Sequence, residues 1–144
     1  MLVAAVVLAA AFGTWRLLRD GRFSSRRTGR RTVADGVPED GAPVIGLDAL
    51  GALGERATLL QFSSAFCAPC RATRRVLGEV ADLVPGVAHL EVDAEQHLDL
   101  VRRLGVVRTP TTLLLDPAGR ELSRASGAPR RDEVLATLAG VLDR

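Results

Sequence analysis

Two cysteines, Cys67 and Cys70, are the residues of this chain whose type and spacing most directly suggest chemistry. They lie three positions apart, with Phe66 before them and Pro69 between them, after an apolar run and at the start of a helical pattern. A helix N-terminus stabilises an anion, and the thiolate is the reactive form of cysteine. We therefore expect Cys67 to attack disulfides and Cys70, one helical turn later, to resolve the mixed disulfide. The side chain of Arg71 adds positive charge beside the pair.

Other uses of a cysteine pair are less consistent with this sequence. A disulfide scaffold has more cysteines at wider spacing. A zinc site usually needs four ligands. The two histidines of the chain, His89 and His97, are the only other candidates, and they lie eight positions apart, which fits no common zinc motif. An inert pair of cysteines remains an alternative. The pattern predicts a redox pair that needs neither a metal nor a cofactor.

The distribution of charge argues against a nucleic-acid-binding domain. Seven arginines lie between Arg16 and Arg31 and are opposed by a single acid, Asp20, whereas the rest of the chain carries more acids than arginines. A nucleic-acid-binding domain would be expected to carry a basic face. The basic segment is more typical of the flank of a membrane anchor.

The first residues, MLVAAVVLAAAFGTWRLL, form an apolar run interrupted by Arg16. A membrane-spanning helix needs about 20 apolar residues, with a lower limit near 17. We predict a transmembrane anchor over residues 1–19, an Arg-rich flexible linker over 20–43 and a folded domain over 44–144. A cleaved signal peptide and a buried core helix are the alternatives for the first segment.

The remaining pattern predicts an α/β domain. Short apolar or alternating runs predict strands, and segments with helical periodicity predict helices, in the order β-α-β-α-β-β-α. The predicted strands cover 57–62, 87–93, 111–115 and 120–126, and the predicted helices cover 67–83, 95–104 and 129–142. The initial strand–helix–strand unit implies a parallel pair with a right-handed crossover.

From about Ala57 to Leu142 the chain resembles the thioredoxin superfamily. Besides the Cys-x-x-Cys motif, the resemblance rests on the strand VAHLEVD, the segment GVVRTPT, the turn DPAG and Gly127, all in family order and spacing. The resemblance implies a thioredoxin-like fold, a central mixed sheet flanked by helices. It also implies that the Thr109–Pro110 bond is cis, faces the cysteines and offers its backbone to an extended substrate.

Four positions depart from the pattern of thioredoxins themselves. Phe66 replaces a tryptophan, which would keep an apolar lid but lose an N–H donor, and Ala68 replaces a glycine. Gln61 stands where thioredoxins carry a buried acid that relays a proton, and an amide cannot titrate. Arg75 replaces a helix-kinking proline. These differences suggest a dedicated relative of the membrane-tethered, thioredoxin-like branch.

The combined features predict a monomeric protein-disulfide oxidoreductase, with the reductase direction favoured. Its expected partners are protein thiols and disulfides, an upstream redox donor and, through the N-terminal helix, the membrane. A binding or redox-sensing module of the same fold is the alternative. Because the arginines follow the apolar run, the positive-inside rule favours a catalytic domain on the cytoplasmic face. The resemblance to tethered relatives makes the extracytoplasmic face the alternative.

Overall fold

The computed structural model describes residues 2–25, 43 and 50–143. The elements are α1 (Leu2–Arg19), β1 (Phe23–Ser25), β2 (Ala57–Ser63), α2 (Ala68–Leu83), β3 (Val87–Asp93), α3 (Leu98–Arg103), β4 (Thr111–Leu115), β5 (Glu121–Ser126) and α4 (Arg131–Leu142). Their order and bounds confirm the seven elements predicted between residues 57 and 142 to within three residues at either end.

The five strands form one mixed sheet in the order β1-β5-β4-β2-β3. Strands β2 and β3 are parallel, as expected for a strand–helix–strand unit, and the other neighbouring pairs are antiparallel. The fold is therefore the thioredoxin-like α/β arrangement that the resemblance implies.

Alternate side chains of β2 pack on opposite faces of the sheet. On one face, Ala57 and Leu59 join a cluster formed with α2, α4 and β4. On the other, Leu60 and Phe62 join a cluster formed with α3, β3 and β4. A central strand buried on both faces explains why this segment is an almost continuous apolar run rather than an alternating one.

Helix α3 begins three residues later than the sequence pattern predicts. The carboxylate of Asp93 accepts hydrogen bonds from the backbone N–H of Glu95 at 2.9 Å and from Nε2 of Gln96 at 2.9 Å. These bonds hold residues 94–96 in a turn, because an aspartate side chain competes with the helix for nearby backbone donors. The helix then begins at Leu98.

The N-terminal region differs from the sequence prediction. The segment predicted as a linker contains strand β1, which pairs antiparallel with β5 and places Phe23 against the core cluster of α2 and α4. The part of the predicted linker over residues 26–42, and the predicted domain start at residue 44, lie outside the described residues.

The predicted transmembrane anchor is not supported. Within the described parts of the chain, no helix combines the length and the apolar character needed to cross a membrane. The prediction of a membrane face for the domain depended on this anchor and loses its premise.

A close contact joins the N-terminal segment to the loop before α4. Asp20 pairs with Arg108, whose guanidinium also donates to the carbonyl of Ser126. Gly127 has a φ of +102°, and a Cβ built on it would lie 2.5 Å from Oδ2 of Asp20. The backbone conformation therefore favours glycine at this position, and a larger residue would have to displace the Asp20 carboxylate.

We expect Gly127→Ala to lower the free energy of unfolding by about 1–3 kcal/mol, because a non-glycine residue is strained at this φ. Urea denaturation of the whole chain measures this. Adding Asp20→Ala should recover the part of the loss that is due to the steric contact. Gly140→Ala is the matched control, since α4 leaves open space around that position and alanine favours a helix. Equal stabilities for Gly127→Ala and the unchanged chain would contradict this account.

Candidate functional site

The cysteine pair lies at the junction of β2 and α2. Cys67 is the N-cap residue of α2, and Ala68 and Pro69 occupy its first turn. The two cysteines are joined by a disulfide, with their Cα atoms 5.2 Å apart. The backbone N–H of Cys70 donates to Sγ of Cys67 over 3.1 Å. After reduction, the same N–H and the N-terminal end of a 16-residue helix would face a thiolate on Cys67.

The two sulfur-bearing residues differ in exposure. Cys67 is half-buried, whereas only 2% of the surface of Cys70 is accessible. Cys67 is therefore the more accessible of the two cysteines.

The predicted supporting residues around the pair occupy different environments. Phe66 is 99% exposed, so its ring projects into solvent and does not form the expected lid over the cysteines. Arg71 is exposed and lines a cavity beside the disulfide. Pro69 is exposed in the first turn of α2.

The predicted substrate loop lies next to the loop that precedes the cysteines. The Thr109–Pro110 peptide bond is cis, as the resemblance implies. The hydroxyl groups of Thr109 and Ser64 are within hydrogen-bond distance at 3.1 Å, which connects the two loops. The backbone N–H of Gly127 donates to the carbonyl of Pro110 over 2.8 Å. These bonds connect Thr109 to the loop that precedes Cys67, and Pro110 to the residue that follows β5.

Gln61 is fully buried behind the cysteine pair. Its Nε2 donates to the carbonyl oxygen of Cys70 over 3.0 Å and to Oγ of Ser63 over 2.8 Å. Its Oε1 is 3.1 Å from Nε2 of His89, so this imidazole nitrogen carries the proton that the amide oxygen accepts. Both ends of the amide are therefore occupied, and Gln61 holds the first turn of α2 against the sheet.

A polar network continues from Gln61 towards solvent. The hydroxyl of Ser63 donates to Oε1 of Glu91 over 2.6 Å, and Arg74 of α2 forms an ion pair and a hydrogen bond with Glu91. Sequence reasoning predicted no role for Ser63 or Glu91 and assigned His89 to an ordinary strand position. Successive side chains of a strand point to opposite faces of the sheet. The sequence therefore indicated that residues 61 and 63 of β2 share a face, and that residues 89 and 91 of β3 share a face.

Two pKa values in this network are shifted. Burial raises the pKa of Glu91, but hydrogen bonds from Arg74 and Ser63, together with the charges of Arg74 and His89, outweigh burial and bring it below 4.5. Burial lowers the pKa of His89 below 6.5, and the opposing effect of Glu91 is the smaller one. At neutral pH the site therefore contains an ionised carboxylate and a neutral imidazole.

We expect acidification to destabilise the protein in two stages. Because the pKa of His89 is lower in the folded chain, the unfolded chain binds more protons, and the free energy of unfolding falls as the pH drops below about 6.5. Protonation of Glu91 adds a second loss below about 4.5. Urea titrations at several pH values measure both stages. His89→Gln retains a donor to Gln61 and should remove only the first stage; an unchanged slope between pH 7 and 5 in this variant would contradict the assignment.

A comparison with known protein families matches the part of the chain that contains these residues. Residues 47–142 match the model of the thioredoxin-like domain family. A thioredoxin H-type of Fagopyrum esculentum is 32% identical over 81 residues, which cover 56% of this chain and 68% of that protein. The thioredoxin of Equus caballus is 26% identical over 95 residues, covering 66% of this chain and 89% of that protein.

The solved structure of Fasciola hepatica thioredoxin superposes with a TM-score of 0.55 at 23% identity, covering 66% of this chain and 86% of that one. This likeness concerns the fold. The match to the family model includes residues 57–142, over which the sequence alone resembles the thioredoxin superfamily.

Proposed function

This chain belongs to the thioredoxin-like domain family, and we propose that it reduces disulfides of protein substrates through Cys67 and Cys70. The observation that carries the proposal is the contrast between a half-buried Cys67 at a helix N-terminus and a buried Cys70 one turn later. The first position suits an attacking thiolate and the second suits a resolving one.

The proposed exchange proceeds in two displacements. The Cys67 thiolate attacks one sulfur of a substrate disulfide, forming a mixed disulfide and releasing one substrate thiolate, which takes up a proton from water. The Cys70 thiol loses its proton and attacks Sγ of Cys67, which forms the Cys67–Cys70 disulfide and releases the second substrate sulfur. An upstream dithiol donor then reduces the pair and is itself oxidised. Because one chain carries both cysteines, we propose that it acts as a monomer.

The substrate loop supports a protein rather than a small-molecule substrate. Thr109 is half-buried beside Ser64, and the loop residue Val107 is exposed. An extended peptide that reached Sγ of Cys67 would pass along this loop, where strand-like backbone pairing is a common mode of recognition.

Reduction of insulin by the reduced chain, with dithiothreitol as electron donor, tests the activity. The unchanged chain should accelerate precipitation of the insulin B chain, and Cys67→Ser should be no faster than dithiothreitol alone. Equal rates for the two chains would favour the alternative, a binding or sensing module. Equilibration with glutathione tests the direction: a potential near −270 mV fits a reductase and one near −120 mV an oxidant.

A further inference from the structure

Two arginines of α2 are unpaired beside the cysteines. Arg71 and Arg75 are exposed, and neither forms a hydrogen bond or an ion pair with another residue in the part of the chain that the structure describes. Arg74, which lies between them in the sequence, differs because it is bonded to Glu91. Two guanidinium groups are therefore available to a molecule that binds at this end of the helix.

These two arginines lie on one row of the helix surface, and the row begins at the proposed attacking residue. Cys67 is the N-cap residue of α2, and Arg71 and Arg75 follow it at intervals of four residues. Side chains four residues apart on a helix are neighbours, with Cβ atoms about 5–6 Å apart. Arg71 also lines the cavity of about 400 Å³ that contains the disulfide. A segment bound at Cys67 would thus come within reach of both guanidinium groups.

The stability of α2 does not explain the arginines. Acidic side chains stabilise the N-terminal end of a helix and basic side chains its C-terminal end. In α2 the first turn contains no acid and the last turn no basic residue. Glu79 lies four residues after Arg75, but these two side chains form no ion pair in the described structure. The order of charges along this helix therefore costs stability, which suggests that the arginines serve binding.

The positive charge is confined to one part of a domain that otherwise carries an excess of acids. Residues 56–78 contain four arginines and no acid, whereas residues 79–143 contain seven arginines and eleven acids. Two carboxylates line the cavity, but Glu91 is paired with Arg74, and the oxygens of Asp93 accept bonds within the turn that follows β3. Arg71 and Arg75 therefore have no carboxylate partner at the site.

We propose that Arg71 and Arg75 select protein disulfides that are flanked by acidic side chains. Carboxylates of the substrate pair with the two guanidinium groups while Cys67 attacks the disulfide. A guanidinium suits this role because its parallel N–H donors match the two oxygens of a carboxylate. Opposite charges also accelerate the encounter of the two molecules. This inference rests on the proposed function and specifies its substrate class.

Reduction of two synthetic peptides by the reduced chain tests the proposal. Both peptides contain the same disulfide-bonded loop, which is flanked on each side by two glutamates in one peptide and by two lysines in the other. A single exposed ion pair changes an equilibrium by up to about fivefold. With two arginines, we expect kcat/KM for the acidic peptide to exceed that for the basic peptide about tenfold at low ionic strength. In the double variant Arg71→Gln, Arg75→Gln this ratio should fall to about two or less.

The ratio of the two peptides separates recognition from an effect on the cysteines. If the arginines altered only the reactivity of the Cys67 thiolate, both peptides would change by the same factor and the ratio would stay constant. Arg56→Gln is the matched control, because Arg56 is exposed and directly precedes β2, about 20 Å from the end of that strand nearest the cysteines. This variant should keep the ratio. In 1 M salt the Debye length is about 3 Å, and the preference of the unchanged chain should largely disappear.

Equal kcat/KM values for the two peptides with the unchanged chain would overturn this inference and leave the proposed function standing. A preference that persists in the double variant, or that is lost equally in Arg56→Gln, would also overturn the assignment to Arg71 and Arg75. Failure of the unchanged chain to reduce either peptide, or insulin, would overturn the proposed function and this inference together. Insulin reduction by the double variant shows that its cysteine pair is intact.

Discussion

The Cys70→Ser chain should stop at the mixed disulfide and accumulate it almost completely. Removal of the resolving sulfur leaves Cys67 free to attack, since it is half-buried at the N-terminus of α2. The serine hydroxyl that replaces the thiol is a far weaker nucleophile, so the covalent complex with substrate should persist. The chain is incubated with disulfide-bonded insulin, and the reaction is quenched with an alkylating agent. Mass spectrometry then measures the fraction of the chain trapped as the mixed disulfide.

The matched control is Cys67→Ser, which keeps the other cysteine of the pair. Cys70 is 2% exposed, and a macromolecular disulfide cannot approach its sulfur in the folded chain. We therefore expect at most a few per cent as much trapped complex as in Cys70→Ser. Efficient trapping by Cys67→Ser with little trapping by Cys70→Ser would reverse the assignment of attacking and resolving residues.

The position of the cysteine pair at the start of α2 could be predicted from the sequence because its determinants are local. The motif follows the apolar run of β2 directly, so strand, loop and helix N-terminus succeed each other within a dozen residues. The positions of Cys67 and Pro69 in α2 follow from capping and proline preferences alone. The role of the Thr109–Pro110 loop, in contrast, came from family resemblance, since most bonds preceding proline are trans.

The polar network behind the cysteines could not be predicted in the same way, because it depends on register. Gln61 lies opposite Glu91 in the parallel pair of β2 and β3, although 30 positions separate them in the sequence. A shift of one residue would turn Glu91 to the other face of the sheet. Alternation within β3 indicated which residues share a face but not which residue of β2 each one meets.

In the N-terminal segment, composition alone did not predict the strand that the structure contains. Its arginines and small residues are typical of a linker, yet Phe23 lies in strand β1 and packs against the core. The pairing of Ser24 with Arg124 joins positions 100 apart, a separation that no local pattern reveals. Sheet edges assembled from distant segments are set by tertiary packing rather than by propensity.

The second large effect is expected when the exposed ring of Phe66 is removed. Phe66 is 99% exposed and directly precedes Cys67, so it stabilises nothing within the folded chain but would be buried by a protein bound at that cysteine. Burial of a phenylalanine side chain contributes about 1.5–3 kcal/mol. We expect Phe66→Ser to lower kcat/KM for insulin reduction about 10- to 100-fold, mainly through KM.

Small disulfides and a distant apolar residue provide the controls for this effect. Dithiobis(nitrobenzoate) is too small to cover the ring as a folded protein would, so its reaction with Cys67 should change less than threefold in Phe66→Ser, within about 0.7 kcal/mol. Leu83 is 56% exposed at the opposite end of α2, and Leu83→Ser should leave insulin reduction unchanged. An equal loss of rate with insulin and with the small disulfide would instead show that Phe66 affects the reactivity of Cys67. The loss of a contact with a macromolecular partner would slow insulin reduction alone.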